Sequence, residues 1–266
     1  GKGKAMILDE RDLTLEQVLS VAIDGEAVEI APVIRDRLHA TRRLIEEKWS
    51  DEDAPLIYAF NTGVGAFKDR RIAQADMDAF QTNLIYAHAT GVGAPLSERV
   101  VRAVMLLRLN AFRSDHSGAS PAIADRLVAF LNSGIVPVIP AKGSVGASGD
   151  LAPLAHMAGA MCGFEEAEIL YQGDRLPAPE ALKRAGLPRG MVMEAKDASA
   201  LINGSTVSLA VALIALAEAE TLVRQADVGL ALSLEAMRCE KDAFVAELHE
   251  ARPHAGQKMV AANVLT

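Results

Sequence analysis

Gly143-Ser144-Val145-Gly146-Ala147-Ser148-Gly149-Asp150-Leu151 sets an Ala-Ser-Gly triplet among glycines. Such a triplet can become an electrophile without any diffusible cofactor. The Gly149 amide nitrogen can attack the Ala147 carbonyl carbon if the backbone bends tightly, and loss of water closes a five-membered ring. Loss of a second water from Ser148 leaves an exocyclic methylene conjugated with the ring carbonyl, which is 4-methylidene-imidazol-5-one. Ordinary side chains are nucleophiles, acids or bases, so an electrophile must be borrowed or made. Gly143, Gly146 and Gly149 allow backbone angles that a β-carbon forbids. Ala147 hardly obstructs the attack, Ser148 supplies the leaving hydroxyl, and Asp150 could accept or relay a proton during closure. The plain alternative is a glycine-rich loop with Asp150 as N-cap of the apolar run Leu151 to Met161.

The surrounding string, GSVGASGDLAPLAHMA from Gly143 to Ala158, resembles the signature of the aromatic amino acid ammonia-lyase family, which includes histidine ammonia-lyase. Further segments match in order and spacing from about residue 10 to the end. Tyr58-Ala59-Phe60-Asn61-Thr62-Gly63-Val64-Gly65 resembles the family's tyrosine loop, with Ala59 where glycine is usual and Val64 where an aromatic residue is usual. Gln81-Thr82-Asn83-Leu84 with His88 and Gly91 resembles the next segment, and Leu201-Ile202-Asn203-Gly204-Ser205 the asparagine motif. His249, Arg252-Pro253-His254 and Gly256-Gln257 resemble a later one.

Working outward, 266 residues make one large domain or two small ones. Half the residues are apolar and only 4% aromatic, with Ala and Leu abundant, which favours packed helices over a β-sandwich. A net charge of -8 with no basic run argues against a nucleic-acid partner. We read no apolar stretch as reaching membrane-spanning length without a charge, and no signal peptide at the start, whose first five residues resemble a tag remnant. Cys162 and Cys239 lie in apolar helical contexts without metal-ligand spacing and read as buried free thiols in a reducing compartment, hence a cytoplasmic protein.

The chain divides into residues 1–204, a loop-rich N-terminal region with the tyrosine loop (55–71) and the electrophile loop (143–151), and 205–266, the start of a central long-helix bundle that looks cut short. Short helices are expected between Asp12 and Trp49, with Thr14 as an N-cap, and helices from Ala75 to Ala89, after Ser97, and from Ser120-Pro121 to Gly134. Residues 169–176 suggest a small hairpin, and Ala178 to Ala185 a short helix closed by Gly186. From Ser205 to Met237 apolar residues recur at helical spacing without a proline, so one long and largely buried helix is expected.

The resemblance implies a mainly α fold, the long-helix bundle of the fumarase/aspartase-like ammonia-lyases, assembled as a homotetramer with sites shared between subunits. It implies elimination of ammonia from an aromatic L-amino acid, best histidine to trans-urocanate, as in amino acid catabolism. Ala147, Ser148 and Gly149 would form the methylidene-imidazolone, with Asp150 supporting its formation and no metal or diffusible cofactor. Tyr58 would remove the β-proton, although a free phenol is a poor base at neutral pH; its other reading is an aromatic residue pinning a loop. Asn203 would hold the reacting group, aided by N–H groups at the start of the long helix; its other reading is an Asn-Gly turn with Ser205 as N-cap. His88 would contact the substrate ring, and His116, His156, His249 and His254 read as structural, His156 close to the electrophile loop. Lyase or 2,3-aminomutase chemistry on tyrosine or phenylalanine is a second reading, and a non-catalytic helical oligomerisation module a third. Family members are about twice as long, and their second halves supply the arginine for the substrate carboxylate, so this chain reads as an N-terminal portion.

Overall fold

A computed structural model describes residues 5–266; the reading of the first five residues as a tag remnant lies, except for Ala5, outside the described residues. The chain is mainly helical. Thr14 opens α1 (Leu15–Ala22) with a capping box, its hydroxyl accepting the Gln17 N–H while the Gln17 side chain accepts the Thr14 N–H. Around α1 lie two parallel strands, β1 (Met6–Leu8) and β2 (Val28–Ile30). At three residues each, they are too short for alternation to show in the sequence.

The second helix expected before Trp49 is α2 (Pro32–Trp49), and the one expected from Ala75 is α3 (Met77–His88). A strand, β3 (Val92–Pro95), leads to α4 (Glu98–Arg113) and α5 (Pro121–Ser133), which ends on Gly134 in the left-handed conformation. Ser97 and Ser120 occupy the N-cap positions of α4 and α5 without capping through their side chains. The link into the electrophile loop consists of β4 (Val136–Pro137) and β5 (Pro140–Lys142), with β5 antiparallel to β3. After the loop come α6 (Leu151–Cys162), the expected hairpin of β6 (Glu168–Tyr171) and β7 (Asp174–Pro177), α7 (Ala178–Arg184) and α8 (Asp197–Ile202). The helix after Ser205 is α9 (Thr206–Met237), followed by α10 (Ala246–Glu250) and α11 (Ala255–Leu265).

The core is organised on α4, where Val101, Val104, Met105, Leu106, Leu109 and Phe112 are fully buried. Two of the buried arginines reach helix ends. Arg102 donates to the carbonyls of Val21 and Leu131, in the last turns of α1 and α5. Arg126 of α5 does the same for Met161 in the last turn of α6. Each thus satisfies carbonyls that a helix end leaves unpaired and places a cation at the negative end of the helix dipole.

Contacts between Cα atoms divide the chain into residues up to Val211 and Ala212–Thr266, a division that falls inside α9. Three expectations need correction. Residues 198–217 run for twenty positions without a charge, and the helical stretch Asp197–Met237 is long and apolar enough to cross a membrane by length and composition. The charges scattered through the rest of the helices hid this run, which Asn203 and Gly204 break into two helices. Nor is α9 largely buried, since Leu222, Val223, Val228 and Leu232 are each more than half exposed. A helix apolar around its whole circumference needs neighbours on all sides, and one chain does not supply them. Cys239 is exposed and Cys162 half-buried, with burial pushing the Cys162 thiol up to about 12. Cys239 lies just beyond the end of α9, where the helical pattern that suggested burial stops.

Asp197, at the start of α8, is fully buried and joins distant segments. Its carboxylate accepts from the Ser120 N–H and hydroxyl, both at 2.8 Å, and from the Glu194 N–H at 3.1 Å, with the Arg42 guanidinium 4.0 Å away. Burial outweighs these partners and raises the carboxyl from 3.8 to about 6. Because the folded protein holds this proton more tightly than the unfolded chain, the stability tied to it is complete below 3.8 and is lost as pH rises through about 6. Urea midpoints measured from pH 4 to 7 should therefore fall less steeply in Asp197→Asn than in the parent; parallel profiles would refute the assignment.

Candidate active site

The tyrosine loop is rigid at its base. The buried Asn61 closes it, its Oδ1 accepting the Ile57 N–H at 2.7 Å and its Nδ2 donating to the Pro55 carbonyl at 3.0 Å. The Thr62 hydroxyl accepts the Ala59 N–H at 3.2 Å. Ala59 is fully buried at φ +59, in the left-handed region that costs a β-carbon about 1 kcal/mol or more. Glycine would take this angle freely, whereas alanine must be held in it by its neighbours. Above this base Tyr58 is half exposed, and its phenol oxygen accepts the Gly65 N–H at 3.3 Å. The phenol hydrogen is left uncommitted to the loop.

The electrophile loop is held from below. Gly149 and Asp150 are buried, whereas Ala147 and Ser148 are exposed. Asp150 stands at the N-cap position of α6, yet its side chain makes no capping bond there, contrary to the plain alternative reading. Instead Oδ2 accepts the Ser208 N–H at 2.8 Å, and Oδ1 accepts the hydroxyls of Ser208 at 2.9 Å and Ser144 at 2.8 Å. Asp150 thus caps α9 from a distant segment, because a carboxylate with 2% exposure needs donors and the first turn of a helix has amides to offer. With three donors on its two oxygens, it is placed better to anchor the loop than to shuttle a proton. The Ser208 N–H is therefore committed to Asp150 and not to a reacting group.

Gly149 lies directly on Gly204. A β-carbon on Gly149 would fall 2.5 Å from the Gly204 nitrogen, and φ is +120, so only glycine fits. The Asp150 N–H donates to the Gly204 carbonyl at 2.8 Å. Asn203 is the extended break between α8 and α9, and its carbonyl accepts from Arg108 Nη1 at 2.9 Å.

These segments converge on one cavity of about 190 Å³, with Tyr58, His88, Ser148 and Asn203 in its lining. Leu84 and Ile202 supply apolar wall. His88 Nδ1 is 2.7 Å from the Leu84 carbonyl, which assigns the hydrogen to Nδ1 and makes Nε2 the acceptor of the neutral ring. His156 lies close to the electrophile loop, as expected: its Nε2 accepts the Gly91 N–H at 3.0 Å, and Gly91 packs on Gly143. Burial pushes the His156 imidazole below its usual range. Ala147, Gly149 and Asp150 are not part of the cavity lining.

Sequence reasoning assigned no role to several residues that fix this geometry. Gln81 is fully buried, donating to the Ala59 carbonyl at 3.4 Å and accepting the Ala198 N–H at 3.0 Å, so it ties the tyrosine loop to α8. The signal was a polar residue on the buried stripe Met77, Gln81, Leu84, Ile85 of α3. Arg108 carried a similar one, a cation inside the apolar run of α4. Ser208 and Ser144 carried none.

Residues 13–266 match the family model described as aromatic amino acid lyase. The chain is 41% identical over 262 residues to histidine ammonia-lyase of Alkaliphilus metalliredigens, covering 98% of this chain and 51% of that protein. Among solved structures, it superposes on tyrosine aminomutase from Streptomyces globisporus with TM-score 0.90 and 33% identity, covering 98% of this chain and 48% of the other. Ergothionase, an ergothioneine-degrading enzyme of Treponema denticola, gives TM-score 0.90 and 29% identity, with 98% and 51% coverage. The chain thus spans about half the length of the relatives it matches. The contact beneath the loop can be tested by itself: Gly149→Ala should lose about 2–4 kcal/mol in urea denaturation, from the left-handed strain plus displacement of Gly204, and unchanged stability would show that the two glycines do not touch.

Proposed function

The chain belongs to the aromatic amino acid lyase family, and from that premise we propose that the protein containing it eliminates ammonia from an aromatic L-amino acid, histidine in the first instance, to give trans-urocanate. The observation that carries this reading is the single cavity in which Tyr58, His88, Ser148 and Asn203, drawn from four separate segments, line one space. Residues 147–149 fit the family's methylidene-imidazolone: Ser148 faces the cavity, and Gly149 has no room for a β-carbon. That group, once formed, supplies an electron-poor centre that makes the substrate amine a better leaving group.

The remaining work falls to side chains. The Tyr58 phenol oxygen removes the β-proton from a substrate lying in the cavity. The Asn203 amide, held at the break between two helices, donates a hydrogen bond that orients the amine end of the substrate. His88 presents Nε2 as an acceptor, with Nδ1 secured by Leu84, and an imidazole N–H on the substrate satisfies it where a phenyl ring does not. Leu84 and Ile202 exclude water from part of the space. The likeness to tyrosine aminomutase supports a second reading, in which the same cavity takes tyrosine and ammonia is returned to the β-carbon. The proposal extends to a homotetramer with shared sites, supported by the uncovered valines and leucines of α9.

Intact mass of the purified protein should show the loss of two waters together with a near-ultraviolet absorbance, and Ser148→Ala should abolish both. With the group in place, histidine should yield urocanate, whereas tyrosine should turn over poorly. Tyr58→Phe should keep the mass deficit yet cut turnover by about 100-fold or more; near-parent rates would exclude Tyr58 as the base.

A further inference from the structure

Four arginines are buried among the described residues; Arg42 is paired with Glu46 and Glu194, and of the other three one differs in what lies against it. Arg102 and Arg126 each bridge two backbone carbonyls. Arg108 makes only one such bond, from Nη1 to Asn203; its buried Nε, like that of Arg126, has no hydrogen-bond partner. No carboxylate lies within ion-pair distance of it among the described residues. Its guanidinium stands over the Phe112 ring at 5.6 Å, as that of Arg126 does over Phe130 at 5.1 Å, and burial lowers the proton affinity of all three. What sets Arg108 apart is the backbone it lies against.

The neighbour is Gly204. A β-carbon on Gly204 would fall 2.5 Å from Arg108 Nη1, just as one on Gly149 would fall 2.5 Å from the Gly204 nitrogen. Guanidinium, Gly204 backbone and Gly149 backbone are therefore stacked with no side-chain atom between them. The Gly204 peptide is held on both flanks, by Arg108 on the Asn203 carbonyl and by the Asp150 N–H on the Gly204 carbonyl. The loop that must bend tightly rests on a surface whose far side is a buried cation.

We infer that Arg108 is a positioning residue for ring closure at Ala147-Ser148-Gly149, acting through Gly204, an inference that rests on the lyase reading above. Closure forms one bond, from Gly149 nitrogen to the Ala147 carbonyl carbon. The Ala147 oxygen leaves as water with the hydrogens of the Gly149 and Ser148 amides, and the second water takes the Ser148 hydroxyl with the hydrogen on its α-carbon. No redox partner is needed. Arg108 takes no part in these bond changes; it keeps the Gly204 backbone pressed against Gly149 and so favours the bent conformer over extended ones.

The test follows maturation, not turnover, in freshly synthesised full chain, by the two-water mass deficit and the rise of near-ultraviolet absorbance in the folded fraction. Arg108→Met should slow closure at least tenfold, while Arg102→Met and Arg126→Met, which also remove a buried helix cap, should close at the parent rate. Closure of Arg108→Met at the parent rate overturns the inference, and so does equal slowing in Arg126→Met, which would make the effect one of general stability. If Arg108→Met does not fold, Arg108→Lys read against Arg126→Lys makes the same comparison, with slowing of a few-fold expected only in the first and equal rates counting against it. A parent chain that never loses water would defeat the lyase reading itself, an outcome distinct from a parent that matures and an Arg108 variant that matures equally well.

Discussion

The Asp150 carboxylate is the interaction on which the site depends. Its two oxygens gather Ser144 from one end of the electrophile loop and the amide and hydroxyl of Ser208 from the first turns of the long helix. Hydrogen bonds to a charged acceptor contribute about 1.5–3 kcal/mol each, and a buried carboxylate deprived of them would be expensive to keep. The loop and the helix are consequently fixed to one another rather than merely adjacent. The Gly149–Gly204 contact lies next to this anchor, and it works only because neither residue carries a side chain.

The same device recurs around the cavity. Gln81 caps the first turn of α8 while holding the Ala59 carbonyl, and Asp197 binds the start of α8 to the start of α5. Asn61 closes the tyrosine loop on itself. In each case a buried polar side chain satisfies backbone groups that helix ends or turns leave unpaired. Rigid supports beneath and exposed groups above suit a site that must orient a small molecule. Tyr58 and Ser148 are accessible, while the residues directly under them are not.

Much of the local structure could be read from the chain. The capping box at Thr14 and Gln17, the hairpin at 168–177 and the close of α5 on Gly134 each rest on residues adjacent in sequence. Of the proposed site, Tyr58, His88, Ser148 and Asn203 were recognisable because the segments around them resemble those of a known family; the residues by themselves fit structural roles as well. For Asp150 it is the plain alternative that fails: its spacing before Leu151 fits an N-cap of α6, whereas its side chain bonds Ser208, 58 residues away. The exposure of α9 was misjudged, because periodicity shows which residues seek cover and is silent on whether the chain provides it.

Residue order alone determined which segments are helical, where they start and stop, and that an Ala-Ser-Gly triplet sits in a loop able to bend, because those properties come from backbone angles and neighbours within one turn. Tertiary structure alone decided that Gly149 meets Gly204, that Arg108 lies behind them, and that four residues between positions 58 and 203 line one cavity. Those outcomes depend on how helices pack and on which buried polar groups find partners, and such pairings link positions whose separation along the chain carries no information about distance in space.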